Sequence, residues 1–420
     1  MTAAAPAPHR GRIRGYVTGY TFSMAGDQIW LTALGWSAAQ LGKPILAGVV
    51  LGAGTIPRAL LMLLGGSLVD RHGIRRLALA TQSARVLAMA GATAAAVVAP
   101  HAWLPLLLVA LVFGAIDAIN VPALSAAPAL MAPPDQLPRI TGILQTAQRL
   151  ATVAGAPAAG FLIAAGGTAG GTAACAALFA VALAALLAAR LPDQPEPAEQ
   201  SAAGAKGGIR YILGRPVLTI LIVTIACLNF TILGSFNVGL PLLVQHHHWS
   251  AGTYGLIEGG FGAGAVVGAM AVALRRPTRR PAVTGLAWIA AQIPLLVAVG
   301  YLGSPAAVAV AAAGVGLILG PASALLIGLI QATADASYIG RVMSTVSFTS
   351  VGLTPISYLL FATLARTTSV STAFLTNGVL EVAVVTIALA NTSLRGARLP
   401  RTDEPEATAE PASTPQPATT

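Results

Sequence analysis

Charge is scarce in this sequence. Asp, Glu, Lys and Arg together make up 9% of its 420 residues, whereas a soluble domain carries about 25%. Hydrophobic residues make up 55%. Since so few polar side chains cannot cover the surface of a water-soluble globule of this length, most of the chain needs lipid as its solvent. The composition therefore excludes an ordinary soluble protein and predicts an integral membrane protein.

Cysteines and catalytic motifs are also nearly absent. The two cysteines, Cys175 and Cys227, both lie inside apolar runs, which excludes a disulfide framework and favours simple packing roles. The adjacent histidines His246 to His248 lack further convergent ligands, so a metal site is not expected. No Ser-His-Asp, Cys-His or paired-carboxylate arrangement with a catalytic context occurs. We therefore expect neither an enzyme nor a bound cofactor or metal.

Long apolar runs are what the sequence does contain. A membrane-spanning helix needs about 20 apolar residues, and twelve segments meet that criterion. The first follows a basic stretch, but it exceeds the length of a signal peptide, contains Asp27 and has no usual cleavage site, so it is predicted to be a retained helix. The predicted segments are 13–39, 44–69, 77–99, 102–131, 139–165, 168–191, 216–245, 252–274, 282–301, 304–332, 342–365 and 370–394.

The basic residues predict how these helices are oriented. If both termini are cytoplasmic, the inside loops and tails hold 19 of the 24 Lys and Arg residues, while the outside loops hold only Lys43 and Arg366. This positive-inside bias predicts a multi-pass protein of the plasma membrane with both termini in the cytoplasm. Topology and contact with anionic lipid headgroups account for the net charge of +10, and no nucleic-acid partner is expected.

The chain divides into two halves that resemble each other. A Pro-, Glu- and Gln-rich stretch over 192–215 is typical of a flexible cytoplasmic linker, and 401–420 has the composition of a disordered tail. Two parallel six-helix repeats are therefore predicted over 1–191 and 216–400, in an all-α membrane fold. Four residues around helices four and five recur 198–200 positions later, since Pro122, Asp135, Gly142 and Pro157 match Pro321, Asp335, Gly340 and Pro355.

A charged loop, "GGSLVDRHGIRRL", separates the second and third segments. It resembles the signature loop of the major facilitator superfamily, Gly-x-Leu-x-Asp-Arg-x-Gly-x-Arg-Arg. The resemblance covers nearly the whole chain, because the twelve segments and the central linker also fit that family. The stretches "AGDQIW", "IPRALL" and "GRVMS" are similar to the branch that contains macrolide, siderophore and multidrug exporters. The residues that match the loop signature are Gly66, Leu68, Asp70, Arg71, Gly73, Arg75 and Arg76.

The resemblance implies that this loop is a conformational latch. Asp70 would accept hydrogen bonds from the start of the eleventh helix, around Gly340 and Arg341, and so stabilise the outward-open state. Gly73 permits a tight reversal, and the arginines of the loop, Arg71, Arg75 and Arg76, offer ionic partners. The alternative is a basic loop that only sets topology.

Charges inside the predicted helices are the second candidate site, since intramembrane charges usually line a cavity or pair with each other. The family resemblance implies that helices one and four line the cavity, which favours Asp27 and Asp117 as proton-coupling acids. The alternative is that they only neutralise Arg58 or Arg85. Two further acids, Glu258 and Glu381, are expected in packing or interfacial roles.

The fifth helix carries the stretch "GAPAAGF", after Arg149. It resembles the Gly-Pro-x-x-Gly-Gly motif of drug antiporters, with Gly155, Pro157 and Gly160 as its functional residues. Ala156 and Phe161 stand where that motif has glycines, and helix four lacks the buried arginine of many proton antiporters.

These features together predict a secondary active transporter with a small-molecule substrate. We expect it to export an amphipathic organic compound or drug by alternating access, with a proton gradient as its energy source. One alternative is a proton-coupled uptake symporter for a small metabolite. Another is a non-transporting membrane sensor or lipid-handling protein on the same scaffold. The substrate's identity and the oligomeric state stay open at this point.

The latch is tested by Asp70→Asn. This change removes one charged partner of the inside gate, so insertion and folding should persist while transport falls sharply. Membrane expression and transport rate are measured on the same preparation. Full transport by a well-expressed variant would contradict the latch.

Overall fold

The structure is a computed structural model that describes residues 10–100, 102–131, 136–191, 210–274, 280–335 and 338–396. Within these ranges, the side chains of residues 10, 62–71, 129, 138 and 273 lie outside the description. The predicted linker and tail fall almost entirely on undescribed residues. The division into domains at 191, 215 and 400 therefore stays a prediction.

All regular structure in the described residues is helical, which confirms the predicted all-α architecture. Eleven helical stretches correspond to the twelve predicted segments, because Leu137–Ala189 contains two helices, α5 (137–166) and α6 (168–189). A short helix, α13 (Thr392–Gly396), follows them. The others are α1 (Arg10–Ala39), α2 (Pro44–His72), α3 (Ile74–Val98), α4 (Trp103–Met131), α7 (Pro216–His246), α8 (Ala251–Ala273), α9 (Pro281–Tyr301), α10 (Pro305–Thr333), α11 (Ile339–Thr367) and α12 (Val370–Ala390).

Two chain reversals depend on glycines with positive φ. Gly167 has φ 63° and ψ −165°, a conformation that only glycine adopts readily, and it separates α5 from α6. Gly73 has φ 79° between α2 and α3, as the tight reversal expected from the sequence requires. Helix α7 is continuous but contains a π-helical turn, Gly234–Gly239, which the sequence did not predict.

By length and hydropathy, nine helices of the described chain are candidate membrane spans. That count takes α5 and α6 together and omits α1 and α3. These two helices carry polar side chains such as Asp27, Gln82 and Arg85, which lower their hydropathy but point into the bundle rather than at lipid. Length and composition are therefore consistent with twelve spanning helices.

The hydrophobic core shows where the two halves meet. We call the end of the bundle with the α1–α2 connection the Lys43 face and the end with the α2–α3 connection the His72 face. The largest core cluster joins both halves towards the Lys43 face and includes Trp36, Val244 and Ala365. Towards the His72 face there are two separate clusters, one in each half. The halves are therefore packed together at the Lys43 face.

Helices α8 and α10 approach each other closely through glycines. A methyl group added at Gly316 of α10 would overlap the carbonyl oxygen of Phe261, and one at Gly264 of α8 would overlap that of Ala313. Small residues at such positions let helix backbones touch, which is a main source of packing energy in a membrane.

This contact predicts a difference between two glycines of α10. Gly316→Ala should lower the stability of the protein by roughly 1–3 kcal/mol, the usual cost of overpacking, because the methyl group has no space. Gly328→Ala is the matched control, since no atom lies within 4 Å of the added methyl. Thermal unfolding of the purified variants measures both. Equal melting temperatures would contradict the close approach.

Candidate functional site

A cavity of about 420 Å³ lies mainly in the first half, among α1, α2, α4 and α5, with Tyr358 of α11 on its wall. Its lining towards the Lys43 face is apolar and includes Leu34 and Leu51. Towards the His72 face it includes Ser125 and Gln145, whose side chains are exposed. The cavity therefore opens towards the His72 face.

Arg85 of α3 lies behind the polar wall of this cavity, which Asp27, Arg58 and Asp117 line. Its side chain is fully buried. The guanidinium carbon lies 5.2 Å from the ring centroids of both Phe113 and Phe179. These centroids are 5.8 Å apart, so both rings contact the cation from one side. A cation at this depth requires acidic partners.

Two aspartates supply them, and a second arginine completes the cluster. Arg85 Nη1 lies 3.1 Å from Asp27 Oδ1 and donates to Asp27 Oδ2 at 3.3 Å. Arg85 Nη2 donates to Asp117 Oδ1. Arg58 Nε lies 3.0 Å from Asp117 Oδ2. Every carboxylate oxygen of the pair thus faces a guanidinium nitrogen, and two acids with two bases make the cluster formally neutral.

Uncharged side chains fix the geometry of Arg85. Nη1 donates to Ser23 Oγ at 2.9 Å. The Asn120 amide satisfies its neighbours when its oxygen accepts from Arg85 at 3.1 and 3.2 Å and its nitrogen donates to Thr81 Oγ1 at 2.9 Å. Gln82 of the same helix donates to the carbonyl oxygen of Phe179 at 3.2 Å. These bonds hold the two terminal nitrogens of the buried cation in one orientation, while Arg85 Nε has no hydrogen-bond partner among the described residues.

Exposure separates the four charged groups into two kinds. The side chains of Arg85 and Asp117 are 0% and 8% exposed, whereas those of Asp27 and Arg58 are 25% and 44% exposed. Asp27 and Arg58 are therefore the members that water or a ligand in the cavity can reach. The two terminal nitrogens of Arg58 have no hydrogen-bond partner within the described part of the chain.

The structure brings together all four charged residues that the sequence proposed for the cavity. The ion pairs that were the structural alternative are present, with Arg85 as the main partner of Asp27. Arg149, in contrast, is exposed on α5 and is not part of the cluster. The uncharged partners Ser23 and Asn120 were missed, because hydroxyl and amide side chains in apolar helices carry no pattern of their own.

The motif of the fifth helix lies at helix contacts. A methyl group at Gly155 would lie 2.7 Å from Gln28 Cγ of α1, and one at Gly160 would lie 2.6 Å from the carbonyl oxygen of Ala251 of α8. Pro157 faces Gly259 of α8. The motif thus packs α5 against both halves.

The latch residues are only partly described. The surroundings of Gly66 and the side chains of Asp70 and Arg71 lie outside the description. Arg75, Arg76 and Gly340 are exposed, and Arg341 lies over the Tyr338 ring at 5.1 Å. The glycine contacts between α2 and α11 occur nearer the Lys43 face, where Gly48 faces Tyr358 and Ala362. The latch stays a prediction.

The remaining two acids have no cationic partner among the described residues. Glu381 of α12 is fully buried and accepts from Thr231 Oγ1 and from Gln292 Nε2, both at 2.6 Å. Glu258 of α8 accepts from Thr32 Oγ1 of α1 at 3.2 Å. Glu381 lies within one half, whereas Glu258 lies between the two halves.

One ion pair lies outside the membrane-spanning helices. Arg215 Nη2 donates to Asp335 Oδ2 at 2.7 Å and Arg215 Nη1 donates to Asp335 Oδ1 at 3.1 Å. These hydrogen bonds hold the pKa of Asp335 below its usual value. The pair connects the start of α7 to the α10–α11 connection, and its contribution is present at neutral pH and lost on acidification.

No cluster of three or more His, Cys, Asp or Glu residues suited to a metal ion occurs among the described residues. His247 stacks on Trp249, with ring centroids 4.6 Å apart, at the end of α7. This stacking gives the ring a packing role.

Comparisons with known proteins cover most of the chain. The family model described as Major Facilitator Superfamily matches residues 16–356. No curated protein sequence matches. A solved nucleoside transporter, NupG, is 11% identical, with 90% of this chain and 98% of that chain covered and a TM-score of 0.70.

Two similar structures are described as inward-facing. A bacterial homologue of the human lysosomal transporter Spinster, inward-facing and occupied, is 13% identical, covers 93% of this chain and 97% of its own, and has a TM-score of 0.68. A bacterial homologue of the iron transporter ferroportin is 16% identical, covers 89% and 98%, and has a TM-score of 0.66. At these identities the likeness concerns the fold.

The geometry predicts that the two arginines of the cluster differ in their effect on stability. Arg85→Gln leaves the buried Asp117 and the partly exposed Asp27 without their main partner and should cost about 3–5 kcal/mol. Arg58→Gln removes a partly exposed partner of the same Asp117 and should cost less than about 1 kcal/mol. Unfolding of both variants in the same detergent measures the difference. Similar losses in the two variants would contradict the central role of Arg85.

Proposed function

Since the chain belongs to the Major Facilitator Superfamily and is therefore a membrane transporter for a small molecule rather than an enzyme, we propose that it is an exporter. Its cargo is an amphipathic organic compound or drug, which leaves across the plasma membrane in exchange for protons. The mechanism is alternating access, with the cavity open to one side of the membrane at a time.

The observation that carries this proposal is the neutral charge cluster on the cavity wall. Asp27 is both paired with Arg85 and 25% exposed to the cavity. Protonation of Asp27 breaks that pair and changes the charge of the cluster from zero to +1. A group that can gain a proton at the place where cargo binds is what ion coupling requires.

The added positive charge on the cluster changes how tightly a charged cargo binds. A cationic cargo about 7 Å from an added unit charge loses on the order of 2 kcal/mol at an effective dielectric constant of about 20. The affinity then differs by a factor of tens between the protonated and deprotonated cluster. For an amphipathic cargo that carries a positive charge, proton and cargo therefore bind in alternation, which is antiport.

The cavity is open on the side from which an exporter loads its cargo. The positive-inside bias assigns the His72 face to the cytoplasm, and the cavity opens towards that face, while the joint core cluster closes the Lys43 face. A conformation of this kind loads cargo from the cytoplasm.

The cavity wall supports an amphipathic cargo. Its apolar part includes Met24, Trp30 and Phe113, and its polar part outside the charge cluster includes Gln28 and Gln148. Such a wall binds an apolar body together with a hydrogen-bonding group.

The test is Asp27→Asn, which mimics a permanently protonated acid. The variant should still bind and exchange cargo but should lose accumulation driven by a pH gradient. Binding and gradient-driven flux are measured on one preparation in proteoliposomes, with a panel of amphipathic compounds as candidate cargo. Asp335→Asn is the control, because it makes the same chemical change outside the membrane-spanning helices.

Two outcomes would count against this role. Normal gradient-driven flux with normal pH dependence would remove Asp27 from the proton pathway. Loss of stability, binding and flux together would mean that Asp27 only neutralises Arg85. A protein that moves none of the compounds would favour a sensor or lipid-handling role.

A second candidate function is uptake of a small anionic metabolite by proton symport. It is favoured by Arg58, whose terminal nitrogens have no partner among the described residues, whereas every carboxylate oxygen of the cluster faces a cation. An anion binds more tightly to a +1 cluster, so proton and cargo would bind together. A cargo gradient alone distinguishes the two functions, because protons follow the cargo in symport and move against it in antiport.

A further inference from the structure

Glu258 lies where the two halves of the protein touch near the Lys43 face. Its carboxylate accepts a hydrogen bond from Thr32 Oγ1, 3.2 Å away and in the other half. Thr32 is fully buried, and Glu258 is partly buried. This hydrogen bond therefore exists only while α1 and α8 are in contact.

The contact around Glu258 is tight. We call it the seam, meaning the surface where α8 meets α1 and α5. One residue after Glu258, Gly259 faces Pro157 of α5. One turn before it, Tyr254 is buried and its ring stacks on Trp36 of α1, with centroids 6.1 Å apart. Water has little access to such a seam.

No cation faces Glu258 among the described residues. The titratable groups near it are Tyr254 on the same helix and Tyr358 of α11. Helix α10, which packs along α8, contains no charged residue, and the two cations of α5, Arg139 and Arg149, are both exposed. The carboxyl group in the seam therefore meets neutral hydroxyl groups, in contrast to Asp27 and Asp117.

We propose that Glu258 is a proton-binding gate residue, which is protonated when the Lys43 face is closed and ionised when that face is open. A carboxyl group that is mostly withdrawn from water and has no cation beside it is more stable as the neutral acid, whereas the same group in water is more stable as the carboxylate. Closure takes up one proton from water and opening releases it. The proposal deepens the proposed function, because it rests on alternating access and places a second proton site at the outer gate.

The gate is tested by measuring the distance across the Lys43 face as the pH changes. Lys43→Cys and Ser369→Cys place one spin label on each half at exposed positions, in a background without Cys175 and Cys227. Pulsed electron–electron double resonance measures the distance between the labels and so gives the ratio of closed to open molecules. With Glu258 present, this ratio should fall as the pH rises, by up to tenfold per pH unit for one linked proton.

Glu258→Gln should remain closed, with a ratio that varies less than about twofold over the same pH range. Glu381→Gln is the matched control, since it makes the same change at a buried acid whose partners, Thr231 and Gln292, lie in its own half. It should keep the pH dependence of the parent protein. Thr32→Val keeps the acid but removes its donor, so the closed fraction should fall at alkaline pH.

Three results would overturn the gate: no pH dependence in the parent protein, the same dependence in Glu258→Gln, or an unchanged distribution in Thr32→Val. The measurement needs neither cargo nor flux, so it separates this proposal from the antiport mechanism. Asp27→Asn should keep the pH dependence of the distance even where it loses coupled flux. A pH-dependent gate without proton-coupled flux would refute antiport and leave the gate intact.

Discussion

The burial of one guanidinium group constrains the first half of this protein more than any other feature. Arg85 has no exposed surface, and an unpaired cation in that position would cost several kcal/mol. Its partners must therefore come from the helices around it, with Asp27 on α1 and Asp117 on α4. The neighbouring rings of Phe113 and Phe179 pack together against one side of it. The positions of four helices are thus linked to a single side chain.

In the second half, a buried acid is hydrogen-bonded to uncharged side chains instead of a cation. Gln292 of α9, the third helix of its half as α3 is of the first, bonds to Glu381 of α12. Thr231 of α7 completes that network next to the π-helical turn, a feature that often occurs at functional sites. Paired charges are therefore concentrated in the half that carries the cavity, while the buried acid of the second half is bonded to uncharged side chains. This asymmetry places cargo-linked electrostatics on one side of the protein.

The contact between the halves depends mostly on small residues. At the Lys43 face, Gly48 faces α11 and Gly160 faces α8 at distances that leave no room for a side chain. Such contacts are stabilised by close packing rather than by many ionic or hydrogen bonds. They can separate without leaving several buried polar groups unpaired, which suits a contact that opens and closes in each transport cycle. The Thr32–Glu258 bond is a polar contact between the halves within the described part of the chain.

Several features follow from the sequence alone because they depend on local properties of the chain. Apolar length decides where helices span the membrane, so the twelve predicted segments match the observed helices within a few residues. Charged residues are so rare in these segments that Asp27 and Arg85 can be picked out from the sequence as candidate site residues. Which charges pair is a different matter, because helices distant in sequence must first pack at particular angles. The partners Ser23 and Asn120, the position of Glu258 between the halves, and the closed Lys43 face all depend on that packing. Only the tertiary structure decided them, since nothing in a single helix specifies which neighbour its polar face will meet.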